Sequence, residues 1–170
     1  MELTDLCPLE TWENLEKELF EKFNFQGSVF TPDGVRITDA KNFNNQLCPA
    51  IKANEKGQTF ICSAAHMNMT AMAKKQRTAV VEECDAGLIK LVVPIFFEDA
   101  FLGVAGGCGL LTEDNDVDTF AVTKLAAMDE ALVTDLAGSV PRISSDLIPT
   151  VSTFIQDRLT QILASCDQKK

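Results

Sequence analysis

Six cysteines carry most of the reactive chemistry in this sequence: Cys7, Cys48, Cys62, Cys84, Cys108 and Cys166. None belongs to a C-x-x-C pair, and the middle four are separated by 14, 22 and 24 residues, without the tight pairing of zinc fingers. Metal ligands need to converge in space rather than in sequence, so a tertiary site could still be assembled from Cys48, Cys62, Cys84 and Cys108. Four thiolates suit zinc or an iron–sulfur cluster. The single histidine, His66, stands four residues after Cys62, which on a helix puts the two on one face, with Met67 and Met69 nearby as soft donors. Two other readings of these residues stay open. A thiol beside an imidazole can act as an activated nucleophile, although no orienting acid accompanies Cys62 and His66. A cysteine is also often just a small buried hydrophobe. The sequence has no Gly-x-x-x-x-Gly-Lys-Ser/Thr phosphate loop and no Gly-x-Ser-x-Gly elbow, and the run Gly103–Gly109 lacks dinucleotide-binding spacing. The expectation is a binding module rather than an enzyme.

The elements that must position these residues belong to a chain of 170 residues and 18.6 kDa, the size of one compact domain or of one domain with a helical extension. At 46% hydrophobic and 24% charged residues it has the balance of a globular protein with a real core. Fifteen Lys and Arg against 25 Asp and Glu leave a net charge of -10 and a pI near 4.5. That acidity argues against nonspecific nucleic-acid binding and against docking on anionic membranes. Its acidic runs, Glu13 to Glu21 and Glu113 to Asp118, read as solvated faces. No apolar run reaches the ~18 residues of a membrane span, and the N-terminus MELTDLCPLE lacks the basic-then-apolar layout of a secretory signal. A cytoplasmic location is expected, with thiols free or metal-bound rather than paired as disulfides.

Trp12, Leu15, Leu19 and Phe23, at three- and four-residue spacing, predict an amphipathic helix over about 9–23. Two β-prone runs, Gly27–Phe30 and Val35–Thr38, flank the turn Thr31-Pro32-Asp33-Gly34 and predict a hairpin. Residues 40–56 read as a short helix or irregular segment. A helix over 59–75 follows, with Ile61, Ala65 and Met72 on one line, Cys62, His66 and Met69 beside it, and Lys74, Lys75 and Arg77 at its C-terminus. Three strands come next, Thr78–Cys84, Leu88–Phe97 and Phe101–Leu111, the last two joined tightly through Glu98-Asp99 as an antiparallel pair.

On the third of these strands, alternation places Leu102, Val104, Cys108 and Leu110 on one side and Gly103, Ala105, Gly107 and Gly109 on the other. So many glycines imply a close approach to the backbone, by a ligand or by a packed helix. Gly106, Gly107 and His66 are accordingly the candidate ligand-binding residues. Beyond the acidic linker, one helix is expected through Val117, Ala121, Leu125, Met128, Leu132 and Leu136. Another is expected over 146–165, with Pro149 in its first turn and a stripe of Ile148, Val151, Ile155, Leu159 and Ile162. That stripe suits either packing onto the same domain or a dimer seam. The order of elements predicts an α+β fold: a PAS-like antiparallel sheet of about five strands flanked by helices, with C-terminal helices. The division expected is 1–111 for the PAS-like domain and 112–170 for the C-terminal helices.

Several segments together resemble the PocR-type sensory domain. They are Cys48-Pro-Ala-Ile, Cys62-Ser-Ala-Ala-His66, Val81-Glu-Glu-Cys84-Asp-Ala-Gly87-Leu88, Val93-Pro94-Ile95 and Phe101-Leu-Gly103-Val-Ala-Gly106-Gly107. The resemblance covers about residues 12–111. It implies a PAS-like ligand-binding fold of prokaryotic signalling proteins, such as accompanies histidine kinases, chemoreceptors and DNA-binding regulators. The named member is associated with sensing a small diol, and the family with small organic ligands. Cys48, Cys62 and Cys84 are the family-matching cysteines. Cys108 stands where family members often have Gln after the paired glycines, which favours a four-cysteine metal or iron–sulfur centre over a diol or hydrocarbon derivative. The partners expected are the small-molecule or metal ligand, a signalling output protein or domain, and a second copy of the chain through the last helix.

Overall fold

The computed structural model of the protein describes residues 1–167. A short helix, α1 (Leu3–Leu6), leads into α2 (Leu9–Phe23), which buries the predicted face of Trp12, Leu15 and Leu19. Asn24, in left-handed backbone (φ 57), ends α2, and β1 (Gln26–Phe30) follows. After a loop come α3 (Leu47–Ala53), a single turn α4 (Glu55–Gly57), a π-helical segment (Gln58–Ser63) and α5 (Ala64–Gln76). Three strands then run through β2 (Val80–Glu83), β3 (Ile89–Phe97) and β4 (Ala100–Thr112). The chain closes with α6 (Thr119–Ala126), α7 (Glu130–Ala137), the two-residue β5 (Arg142–Ile143), a 3-10 turn (Ser145–Leu147) and α8 (Ile148–Asp167).

The strands form one five-stranded sheet flanked by helices, the α+β PAS-like architecture expected. β1, β4, β3 and β2 are antiparallel neighbours in that order, and β5 pairs with the end of β4 in parallel. The arm predicted over 35–38 makes a bridge between Phe30 and Arg36 instead of a strand. It is held by side chains: Arg36 and the Thr38 hydroxyl donate to the fully buried Glu16 carboxylate at 2.8 and 2.7 Å.

Two bulges change the faces of β4. Its pairing with β3 shifts between Ile89 and Lys90 and again between Ile95 and Phe96, close to Gly109 (φ 99) and Gly103 (φ 140). Each extra residue reverses the alternation beyond it. Leu102 and Leu110 therefore join Ala105, Leu91 and Val93 in the main core with α2 and α8, whereas Val104 packs with Met69 and Val92 on the α5 side. The expected set of Leu102, Val104, Cys108 and Leu110 is split, and Cys108 leaves the main core.

Other helices depart from the periodicity for equally local reasons. The wide π turn rotates the face of α5, so that His66, Met69, Thr70 and Ala73 are buried and Met72 is exposed. The single helix expected over 117–136 is two: Ala127 (φ 50) ends α6, and Asp129 caps α7 by accepting from the Leu132 N–H at 3.0 Å.

The stripe of α8 is used inside this chain, with Val151, Ile155, Leu159 and Ile162 buried beside Trp12, Leu15 and Ile95. Arg158 grips Glu18 of α2 through two 2.8 Å hydrogen bonds. The second core joins Leu47, Ile51, Ile61 and Leu88 to Val122, Ala126 and Val133, so both cores draw on residues from either side of position 111. Running back along the sheet, α8 also brings Cys166 to Cys7, and the two form a disulfide with Cα atoms 5.7 Å apart. The expectation of unpaired thiols is corrected for this pair and holds for Cys48, Cys62, Cys84 and Cys108. Among the described residues no helix is long and apolar enough to cross a membrane.

Candidate ligand-binding cavity

A cavity of about 410 Å³ lies between the sheet and the helical arm that runs from α3 to α5. β1 contributes Gln26, Ser28 and Phe30, β3 contributes Lys90, and β4 contributes Cys108 and Gly109. Cys48 and Ile51 come from α3, Ile61 and Cys62 from the π-helical segment, and His66 from α5. Cys84 enters from the turn after β2, where its N–H donates to the Leu88 carbonyl and Gly87 takes left-handed backbone (φ 83). The four cysteines and His66, far apart in sequence, thus meet around one cavity, with Cys48, Cys62 and His66 on its helical side and Cys108 on its sheet side.

A small amide network orders the lining around Cys48 and Cys108. The Asn45 side chain accepts from the Cys48 N–H at 2.7 Å and donates to the Cys48 thiol at 3.4 Å and the Gly109 carbonyl at 3.2 Å. Gln26 donates to the Cys108 sulfur at 3.7 Å and accepts from the Asn44 N–H at 3.2 Å. Glu16 accepts from Val29 N–H, Thr38 and Arg36, so the Arg36 charge at the wall is already paired. Burial raises the Glu16 carboxyl above its usual range, while these three donors pull the other way.

Charge divides the thiols. Burial, with the Cys108 charge adding to it, pushes Cys48 up to about 12, and burial pushes Cys62 up to about 11. Cys84 is raised as well, again by burial. Cys108 goes the other way: burial works against it, but the Lys90 and Lys52 charges and the Gln26 donor hold its thiol below the ordinary range. His66 is lowered to about 4 by burial and by Lys90, and is therefore neutral near pH 7. Cys62 remains a protonated thiol, the opposite of what an activated nucleophile needs. Although the four thiols line one cavity, among the described residues no three Cys, His, Asp or Glu side chains stand close enough to hold a metal ion. The arrangement is a lining of soft donors around one cavity.

Gly106 and Gly107 do not line the cavity. A Cβ on Gly106 would run into the Leu91 carbonyl of the neighbouring strand, and one on Gly107 would sit 3.1 Å from the Gln26 oxygen and from Phe25. Strand packing accounts for both. Lys90, Gln26 and Asn45 are the polar wall residues that motif reading passes over. Lys90 did leave a signal, as a lone charge inside Ile89-Lys90-Leu91-Val92-Val93, a segment otherwise apolar enough to be buried on both faces.

A family model described as the sensory domain found in PocR matches residues 5–166. The match extends past the motif-bearing stretch 12–111 on both sides and takes in the C-terminal helices. No match is found among curated proteins or among solved structures.

Proposed function

The chain belongs to the family of the sensory domain found in PocR, a sensory ligand-binding module, and from that premise we propose that it binds a small organic ligand in the cavity around His66, Lys90 and Cys108 and relays occupancy to a signalling output partner. The cavity carries this reading. Its volume of about 410 Å³ suits a small ligand, and it combines apolar walls (Phe30, Ile51, Ile61, Leu88) with a few convergent polar groups (Gln26, Ser28, His66, Lys90). One wall is the helical arm and the other is the sheet, so a ligand touching both would favour whichever arm position closes on it. Titration calorimetry with a panel of small alcohols, diols and carboxylic acids tests the proposal. Saturable binding that Ser28→Phe removes by filling the cavity is expected, and a panel that gives no saturable binding overturns it.

A Cys-ligated metal or iron–sulfur centre is the second reading, favoured by the presence of Cys48, Cys62, Cys84 and Cys108 around one cavity. It requires these thiols to draw together and to lose protons that burial holds on three of them. Metal, iron and acid-labile sulfide analysis of protein purified without oxygen decides it. Stoichiometric iron and sulfide with visible absorbance would establish a cluster, and their absence after attempted reconstitution would remove it.

A further inference from the structure

Lys90 lies mid-strand with its side chain on the cavity wall and 8% of its surface exposed. A buried ammonium is ordinarily paired with a carboxylate or surrounded by acceptors, because a bare charge is costly away from bulk water. Among the described residues Lys90 makes no ion pair and no side-chain hydrogen bond; its contact is the Phe30 ring, whose centroid is 6.0 Å from the ammonium. His66 is a second orphan, 4% exposed, its ring 3.9 Å from that of Phe30. Its Nε2 lies 3.4 Å from the Thr70 hydroxyl, while Nδ1 has no partner. With the hydroxyl donating to Nε2, the neutral ring carries its proton on Nδ1, where no group of the described chain accepts it.

The rest of the wall has the same sign. Arg36, Lys41, Lys52 and Lys90 line it against the one acid Asp33, in a chain whose net charge is -10. Arg36 is taken up by Glu16 at 2.8 Å, Lys52 lies over the Phe43 ring at 5.2 Å, and Lys41 and Asp33 are exposed at the rim. The deep charge that no carboxylate meets is therefore that of Lys90. We infer that the ligand is a small carboxylic acid, bound as its carboxylate between the Lys90 ammonium and His66 Nδ1, with its hydrocarbon part along Phe30, Ile61 and Leu88. The inference rests on the reading of this cavity as a ligand site. One buried cation and one neutral N–H match the single charge and two oxygens of a carboxylate; a phosphate dianion would leave charge uncompensated. An internal rival for the counter-ion exists in Cys108, which stands opposite Lys90. Its thiolate would neutralise the lysine and leave the cavity to an uncharged ligand.

The test is calorimetric titration of the full chain with butyrate and benzoate against butan-1-ol, benzyl alcohol and propane-1,2-diol, on the parent protein and on Lys90→Met. Each acid should bind about tenfold or more tightly than the alcohol of the same skeleton, and Lys90→Met should abolish that difference. The ligand-free Lys90→Met protein should melt no lower than the parent, since a buried charge that no carboxylate pairs is gone. His66→Phe keeps the ring against Phe30 and should weaken the acids severalfold while leaving the alcohols unchanged. Alcohol or diol binding as tight as that of the acids overturns the inference, leaves the ligand-site reading intact and points to Cys108 as the counter-ion. Acid affinity unchanged in Lys90→Met overturns it as well. If none of the five probes binds, the inference falls, and the ligand-site reading falls with it only when the wider panel also fails.

Discussion

Lys90 of β3 and Cys108 of β4 are directly opposed in the antiparallel register, and both line the same cavity. Opposed residues hold their Cβ atoms about 5 Å apart, which is close enough for the lysine charge to act on the sulfur. Cys108 is lowered in spite of its burial, whereas burial raises Cys48, Cys62 and Cys84.

Alkylation should follow that division. With limiting iodoacetamide at pH 7, Cys108 is expected to react first among the four unpaired cysteines, because the thiolate is the nucleophile. Lys90→Met should slow it about tenfold or more. Peptide mass spectrometry reads the order, and Cys48 or Cys62 reacting ahead of Cys108 would refute the charge assignment.

His66 makes stability depend on pH with a definite sign. Its folded pKa of about 4 lies below the usual value of 6.5, through burial first and the Lys90 charge second. Between these values the unfolded chain binds the extra proton, so stability rises with pH. The His66 contribution is complete above about pH 6.5, is lost as pH falls towards 4, and stays flat below. Urea midpoints measured from pH 7.5 down to 4 should fall less steeply for His66→Phe than for the parent; parallel curves would contradict the assignment.

Cys7 and Cys166 close a loop with a sequence separation of 159. Constraining so long an unfolded chain stabilises the fold by about 2–5 kcal/mol. Reduction, or Cys7→Ser, should lower the urea midpoint by a corresponding amount while the slope of unfolding reports any loosening of the denatured ensemble. An unchanged midpoint in reductant would show that the bond does not carry stability.

Gly106 and Gly107 should separate as strand-packing positions. Gly106→Ala drives a methyl group into the Leu91 carbonyl and is expected to cost about 3 kcal/mol, whereas Gly107→Ala, with neighbours at 3.1 Å, should cost roughly 1 kcal/mol. Chemical denaturation checks the ranking. Neither substitution should change ligand affinity in protein that remains folded, since neither residue lines the cavity.

Glu16 holds the segment after β1 in place through Arg36, Thr38 and the Val29 N–H. Glu16→Ala leaves a half-buried guanidinium without its partner and should cost about 3–5 kcal/mol. Glu16→Gln, which keeps an acceptor, should cost less. Equal losses in the two variants would show that shape rather than charge is what matters there.

Much of this protein follows from short stretches of chain. The helix over 9–23, the last helix with Pro149 in its first turn, and the three consecutive strands each rest on contacts a few residues long, so residue spacing reveals them. The ordered motifs around Cys48, Cys62, Cys84 and Gly106 likewise sufficed for the family, and they named three of the four thiols that line the cavity. Other features depend on partners distant in sequence. Whether Cys108 faces the core or the cavity turns on bulges in β4 that exist only against β3. Ala127 breaks a helix that periodicity runs straight through, and the disulfide needs α8 to return across the sheet to Cys7. Lys90 is an ordinary surface residue type until β1, β4 and α5 close around it. Periodicity records which face of an element is apolar, but what covers that face, and whether a charge beneath it finds a partner, is decided by contacts between segments the chain separates by tens of residues.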